Sequence, residues 1–354
     1  MVLRDGVIVR VGTGEPPGPV AAHGRYLAPG LVDMHCHGGG GHSFATSCAD
    51  EARAAAATHH AAGVTTVMAS LVSDRIEVLE QQLEVLAGVA RTGEVAGMHL
   101  EGPWLSPAFR GAHPEALLQA PTPGDVDRLL RAGRGHLRMV TLAPELPGAL
   151  QAVRRLVAAG VVVALGHTGA DADTVRTAVD AGASVLTHAC NGMRPLHHRD
   201  PGPVVAALGD PRVTLEVIGD GVHLHPEVLA LICRCAPGRV ALVSDAMPAA
   251  GRPDGTYRLG AQEVEVLGGV ARLAGGGSIA GSTTPLPGAL QVSRAAGVPA
   301  LVALGAATTT PSRVLGLSVG ALRPGAPADV LLLDADLQVQ QVWRAGVPIG
   351  PAHD

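Results

Sequence analysis

The chain has 354 residues, enough for one large α/β domain and a small extra module. Hydrophobic residues make up 47% and charged residues 16%, which excludes a disordered chain and supplies a sizeable core. The formal net charge is −5, with no basic run, so no nucleic-acid partner is expected.

Aromatic residues are only 2%, so the core must be built from Ala, Val and Leu. Every one of the 26 basic residues is Arg; the chain has no lysine. Residues 1–6 do not read as a secretory signal, and no apolar run reaches membrane-spanning length. The expected location is the cytoplasm, with no membrane partner. The cysteines, Cys36, Cys48, Cys190, Cys233 and Cys235, are odd in number and imply no disulfide framework. Cys233-x-Cys235 reads as reduced thiols rather than as half of a metal site.

In chain order, residues 1–29 hold short β-like pieces such as 7–11. Eight apolar, β-branched-rich runs follow, at about 30–35, 64–70, 94–100, 139–143, 161–165, 184–187, 213–218 and 240–244. Helical spacing marks 49–62, 74–90, 146–159 and 171–181 between them. Alternating strand and helix patterns imply βαβ units and a parallel sheet. Eight repeats predict an α/β fold closed as a (β/α)8 TIM barrel over 30–319. A β-hairpin insertion is expected at about 252–276, over the active-site face. Residues 1–29 and 320–354 lack helical patterns and are expected to pair as a small β domain.

The chemistry sits at the ends of the apolar runs. His35 and His37 follow the first, Glu101 the third, His167 the fifth, His188 the sixth and Asp245 the eighth. A TIM barrel gathers such strand ends onto its active-site face. His-x-His on a strand aims both rings to one side. A carboxylate after a buried strand, as at Glu101, is costly unless paired or bound to metal. Glu101, His167 and His188 make a three-ligand set open to water, the composition of a catalytic metal site. Asp245 beside it can serve as general base and then general acid. His223 and His225 follow the seventh run. His59 and His60 lie in the Ala-rich helical stretch and are expected to be solvated.

As an ordered set these stations resemble the amidohydrolase superfamily and, within it, the N-acetylglucosamine-6-phosphate deacetylase family. The carrying motifs are Pro29-Gly30-Leu31-Val32-Asp33-Met34-His35-Cys36-His37-Gly38-Gly39, Leu100-Glu101-Gly102-Pro103-Trp104, Gly111-Ala112-His113-Pro114, Gly166-His167-Thr168, Thr187-His188-Ala189-Cys190-Asn191-Gly192-Met193, Arg199-Asp200-Pro201-Gly202, Asp220-Gly221-Val222-His223, Val243-Ser244-Asp245-Ala246 and Ala280-Gly281-Ser282. They span about residues 25–330.

The resemblance implies hydrolysis of the acetamide of N-acetyl-D-glucosamine 6-phosphate, giving D-glucosamine 6-phosphate and acetate. The alternatives are a related N-acyl amino sugar as substrate, or a non-catalytic sugar-phosphate sensor. It implies Glu101, His167 and His188 as metal ligands and Asp245 as catalytic acid/base. His113 would polarise the acetamide oxygen. Asn191, Gly192, Arg199 and His223 would hold the sugar phosphate, with Arg199 reaching the neighbouring site of a homodimer. Zinc is the leading metal, ahead of iron, cobalt or manganese, and His35 and His37 are candidates for a second ion. Relatives often carry a bulky residue and an Ala where this chain has Cys190 and Gly192. Without lysine no carbamate can bridge two metals, which argues against the dihydroorotase and hydantoinase branches.

Overall fold

The computed structural model describes residues 1–13, 24–275 and 277–349; His23, parts of both terminal segments and one residue of the 252–276 insertion lie outside that range. Its centre is a parallel barrel. The first strand is Val32–Asp33, and the second is Thr66–Val67 with Ala69–Leu71, broken at Met68. Then come Met98–Glu101, Leu137–Leu142, Val162–Leu165, Val185–Leu186, Thr214–Ile218 and Val240–Val243. Seven of these segments form one sheet in sequence order, from Ala69–Leu71 to Val240–Val243. The first strand pairs in parallel with the second, Val32 opposite Thr66. Closure comes at the top: Cys36 bridges Ala246 in parallel, and the Asp245 N–H donates to the His35 carbonyl at 3.0 Å. The first and eighth strand ends therefore touch.

Helices cover the outside of the barrel because each carries one apolar stripe. Ile76–Arg91 buries Ile76, Leu79, Leu83 and Leu86, spaced by three or four residues. Several helices start on a designed-looking cap. Thr122 accepts from the Asp125 N–H ahead of Pro123, and Asp171 accepts from the Thr174 N–H. One apolar cluster joins helices to strands through Leu71, Leu100, Leu142, Leu165 and Leu215. A second, of Val32, Met139, Ala164, Val185, Ala241 and Val243, is covered by Val314, Leu317 and Val319. With one end filled by aliphatic side chains, the polar residues are confined to the other.

The chain ends build a separate sheet. Tyr26–Pro29 pairs antiparallel with Val330–Leu333, which pairs with Val339–Arg344 and that with Val347–Ile349. Val2–Arg4 and Val7–Arg10 form a hairpin beside it, tied by the Ile8 N–H to the Ala326 carbonyl. After the eighth barrel strand, Gly255–Leu259, Gln262–Leu267 and Val270–Leu273 form a three-stranded antiparallel sheet. No helix among the described residues is long and apolar enough to cross a membrane. All five cysteines are free, with Cys233 buried and Cys235 exposed.

His59 and His60 are not solvated, contrary to expectation. Helix Ala49–Ala62 turns Ala52, Ala55, Ala56, His59 and His60 inward. Across residues 55–62 alanine lies on both faces and the two histidines are the most polar side chains, so this half of the helix does not say which side is buried. His59 Nε2 donates to the Gly38 carbonyl at 2.9 Å, and the His60 ring faces the carbonyls of Val64 and Glu94. Burial pushes the His59 pKa down to about 4, only partly offset by that hydrogen bond. The unfolded chain takes up this proton near 6.5 and the folded chain only near 4. Between those values the unfolded state holds more protons, so stability falls as pH falls. The expected loss from this residue is on the order of 3 kcal/mol. Denaturant titrations of chelator-treated protein at pH 7 and pH 4.5 check it: His59→Gln should show a clearly smaller pH dependence than the parent.

Candidate metal centre

The third barrel strand delivers Glu101 to the centre of the polar end, where it is 4% exposed. Glu101 Oε1 lies 3.1 Å from His167 Nε2 and 3.0 Å from His188 Nε2. Those two nitrogens are 3.1 Å apart. The other oxygen, Oε2, lies 3.2 Å from His37 Nε2, 3.6 Å from His35 Nε2 and 3.3 Å from His113 Nε2. His35 and His37 Nε2 are themselves 3.1 Å apart. Asp245 Oδ1 faces both, at 3.4 and 3.2 Å. Two imidazole pairs thus converge on opposite oxygens of one carboxylate.

The rings are oriented by what their far nitrogens touch. His167 Nδ1 donates to the Phe109 carbonyl at 2.9 Å, and His37 Nδ1 to the Ser70 carbonyl at 3.2 Å. A carbonyl can only accept, so both rings carry a proton on Nδ1, and in the neutral form of each ring Nε2 is the bare nitrogen. His35 Nδ1 meets the Glu216 carboxylate at 3.1 Å, with the same result. This is how metal-ligating histidines are usually held. Four imidazole Nε2 atoms crowd two carboxylates, and rings that are neutral with the proton on Nδ1 have no hydrogen to place between them. His188 Nδ1 has no partner at all. The set fits divalent cations better than it fits its own members. Two trios, Glu101–His167–His188 and His35–His37–Glu101, each bring their donor atoms within 4.8 Å.

His113 is turned the other way. Its Nδ1 accepts the Ser73 N–H at 3.3 Å, so its proton sits on Nε2, toward the cavity. Burial pushes its pKa down to about 4 against the pull of Glu101, and it is a neutral donor at pH 7. For Glu101, burial acts to raise the pKa, but the charge of His35 and the hydrogen bonds of three histidines outweigh it and hold it well below the carboxylate range. Asp245 is lowered in the same way, burial being overcome by His35 and His37. Burial acts to lower His35 and His37, yet the carboxylates facing them win; His37 is pushed up to about 9.

The cluster floors a cavity of about 490 Å³. Asn191, Gly192 and His223 also line it. A Cβ on Gly192 (φ +55°) would stand 2.8 Å from His167 Nδ1, so the absent side chain leaves the ring its place. His223 Nδ1 pairs with Asp220 Oδ2 at 2.7 Å, while Asp220 Oδ1 accepts the N–H groups of Val222 and His223. Burial acts to lower the His223 pKa, but the Asp220 hydrogen bond overrides it and raises it. Arg199 is apart from the rest: it is exposed, and its guanidinium contacts His198 at 2.7 Å. His225 is exposed too and caps helix Pro226–Cys235 by accepting the Glu227 N–H.

Sequence reading passed over Glu216, which is fully buried on the seventh strand. A carboxylate inside Val213-Thr214-Leu215-Glu216-Val217-Ile218 is as costly to bury as Glu101, but it lies within its apolar run rather than at the end. It also passed over Ser73, which fixes the His113 tautomer only through its backbone and so leaves no trace in residue type.

The Amidohydrolase family model matches residues 26–349. The chain is 40% identical to N-acetylgalactosamine-6-phosphate deacetylase of Escherichia coli O157:H7, over 97% of this chain and 93% of that protein. A solved structure of N-acetyl-D-glucosamine-6-phosphate deacetylase from Mycobacterium smegmatis, an alanine variant in complex with N-acetyl-D-glucosamine-6-phosphate, is 45% identical. It superimposes with a TM-score of 0.95 and covers 98% of this chain and 93% of that one. N-acetylglucosamine-6-phosphate deacetylase from Thermotoga maritima is 31% identical, with a TM-score of 0.90 over 99% and 94% of the two chains. With the barrel, the histidine stations and a match across nearly its whole length, the chain belongs to the amidohydrolase family.

Proposed function

We propose that this chain is a metal-dependent deacetylase that hydrolyses the acetamide of N-acetyl-D-glucosamine 6-phosphate to D-glucosamine 6-phosphate and acetate. The observation that carries this reading is the cavity floor: one buried Glu101 between two imidazole pairs, with Asp245 beside it. The similarity to deacetylases of this phosphosugar supports the substrate. The galactosamine epimer is the second reading, favoured by the relative from Escherichia coli O157:H7. A sugar-phosphate sensor would have no use for Asp245.

Glu101, His167 and His188 would hold one cation, and His35, His37 and Glu101 a second. Imidazole and carboxylate donors suit zinc, with iron, cobalt and manganese as competitors. A divalent cation supplies Lewis acidity there, polarising the amide and making water a nucleophile near neutral pH. Asp245 Oδ1 takes the proton from the attacking water. His113 Nε2–H donates to the acetamide oxygen as it gains negative charge. Asp245 then returns the proton to the leaving amine. Asn191, the backbone at Gly192 and His223 hold the sugar.

A guanidinium is the best match for a phosphate dianion, and none of the described residues lining the cavity carries one. Lysine is absent from the chain. We therefore assign the phosphate to Arg199 of the partner subunit in a homodimer, which accounts for a guanidinium exposed on the loop before helix Gly202–Gly209. Arg suits bidentate phosphate binding.

Three measurements test this. Purified protein should release acetate from N-acetyl-D-glucosamine 6-phosphate faster than from its galactosamine epimer, and chelator should suppress release until zinc is restored. Full activity of metal-stripped protein overturns the metal role, and preference for the epimer overturns the substrate. Asp245→Asn should lower kcat by at least ~10²-fold while substrate still binds, the usual scale for a positioned acid/base. Arg199→Ala should raise KM for the phosphosugar by about 10- to 100-fold, the scale of a hydrogen bond to a charged group. It should leave the unphosphorylated amino sugar unaffected; equal losses on both would mean that Arg199 does not read phosphate.

A further inference from the structure

We propose that Glu216 is a positioning residue that holds His35 with Nε2 turned to the centre, and that it thereby governs binding at the His35–His37–Glu101 half. The inference rests on the two-cation reading above and goes beyond it, since Glu216 itself touches neither cation nor substrate.

The geometry is specific. Glu216 sits in the middle of the seventh strand with no exposed surface. Its Oε2 receives His35 Nδ1 at 3.1 Å and also the backbone N–H of His188 at 3.3 Å. The backbone carbonyl of Glu216 accepts the Ala189 N–H at 2.8 Å. One residue thus ties a ligand of one trio to the segment that carries a ligand of the other. The contrast with its neighbours matters. His37 and His167 are oriented by backbone carbonyls, which come with the fold. His35 alone among the four is oriented by a side chain, and by a charged one.

The carboxylate is not explained by packing. Leu215, Val217 and Ile218 beside it are buried aliphatics, and an aliphatic residue would fill the same strand position without a buried charge. Its second oxygen, Oε1, has no hydrogen-bond partner. Only the contact to His35 and His188 makes use of the charge. Without it, a neutral His35 is free to carry its proton on Nε2, where the Glu101 and Asp245 carboxylates would accept it. A nitrogen that carries a proton cannot ligate. Second-sphere carboxylates of this kind change metal affinity by about 10- to 100-fold.

The test is zinc titration of the metal-stripped protein, followed by calorimetry and by elemental analysis after gel filtration. The parent should take up two equivalents per chain. The double variant His35→Ala/His37→Ala marks the second equivalent by losing it. Glu216→Leu should weaken the second equivalent by about 100-fold and the first, which it reaches only through the His188 backbone, far less. Glu216→Gln keeps an acceptor without the charge and should weaken the second by about tenfold. A merely structural role would lower both equivalents together, or neither. Two equivalents at parental affinity in Glu216→Leu overturn the role of Glu216 and leave the two-cation reading standing. A single equivalent in the parent overturns that reading and this inference with it. Should Glu216→Leu not fold, Glu216→Gln decides alone, and an unweakened second equivalent in it overturns the role.

Discussion

The polar end of this barrel is organised around one carboxylate that has more neighbours than it has oxygens. Glu101 is buried with five histidine nitrogens within 3.6 Å. Burying a carboxylate is costly unless opposite charge surrounds it. Here protons on His35 and His37 can supply that charge, and so can divalent cations. Charge balance therefore couples the two halves of the site: whatever one oxygen of Glu101 binds alters what the other can hold. A chain with no lysine has no carbamate to share between two ions. On the proposed two-cation reading, Glu101 would be the residue that both cations share.

Holding so many like groups together requires backbone that would not form spontaneously. His167, His188 and Asp245, each just past a strand end, have φ values of +47°, +25° and +47°. Left-handed backbone at residues other than glycine costs about 1–3 kcal/mol each and persists only where its surroundings impose it. The imposing contacts are visible. Thr168 N–H donates to the Gly192 carbonyl after His167, Ala189 N–H donates to Glu216 after His188, and Ser282 N–H donates to the Asp245 carbonyl. The strand ends turn sharply inward, and neighbouring loops hold them there. Stability from the aliphatic end and the helix layer offsets this local strain.

The parts of the architecture carried by periodicity were legible in the residues. Eight apolar runs map onto eight barrel strands, and helix Ala49–Ala62 falls on its predicted stretch. The pairing of the chain ends was legible too, from strand patterns without helical ones. What periodicity does not carry was missed. The buried face of helix Ala49–Ala62 could not be told, because alanine gives little amphipathic contrast, and so His59 and His60 were assigned to solvent. Glu216 was overlooked because it lies inside a strand rather than at its end. The inward aim of His35 and His37 followed from the two-residue repeat, whereas their tautomers depend on Ser70 O and Glu216, more than thirty residues away in sequence. Long-range hydrogen bonds of this sort have no local signature.

The roof over the cavity follows from the same economy of side chains. The three-stranded sheet after the eighth strand buries Leu259, Val264, Val266 and Ala271 against Val72 and Met247. Leu259, Ala261 and Ile279 face the cavity from this side, opposite the histidine floor. The sheet is anchored where the chain returns to the barrel, by the parallel bridge between Ala246 and Ser282 and by the Met247 N–H to the Ser282 carbonyl. Asp245 lies directly before that anchor, so the residue assigned to proton transfer and the apolar wall above it are fixed by the same backbone contacts. An apolar wall facing a charged floor lowers the local dielectric, which strengthens each electrostatic interaction on the floor. It also limits the water competing for Asp245 to what the cavity admits. On this side the roof supplies apolar surface, from Leu259, Ala261 and Ile279, rather than charge.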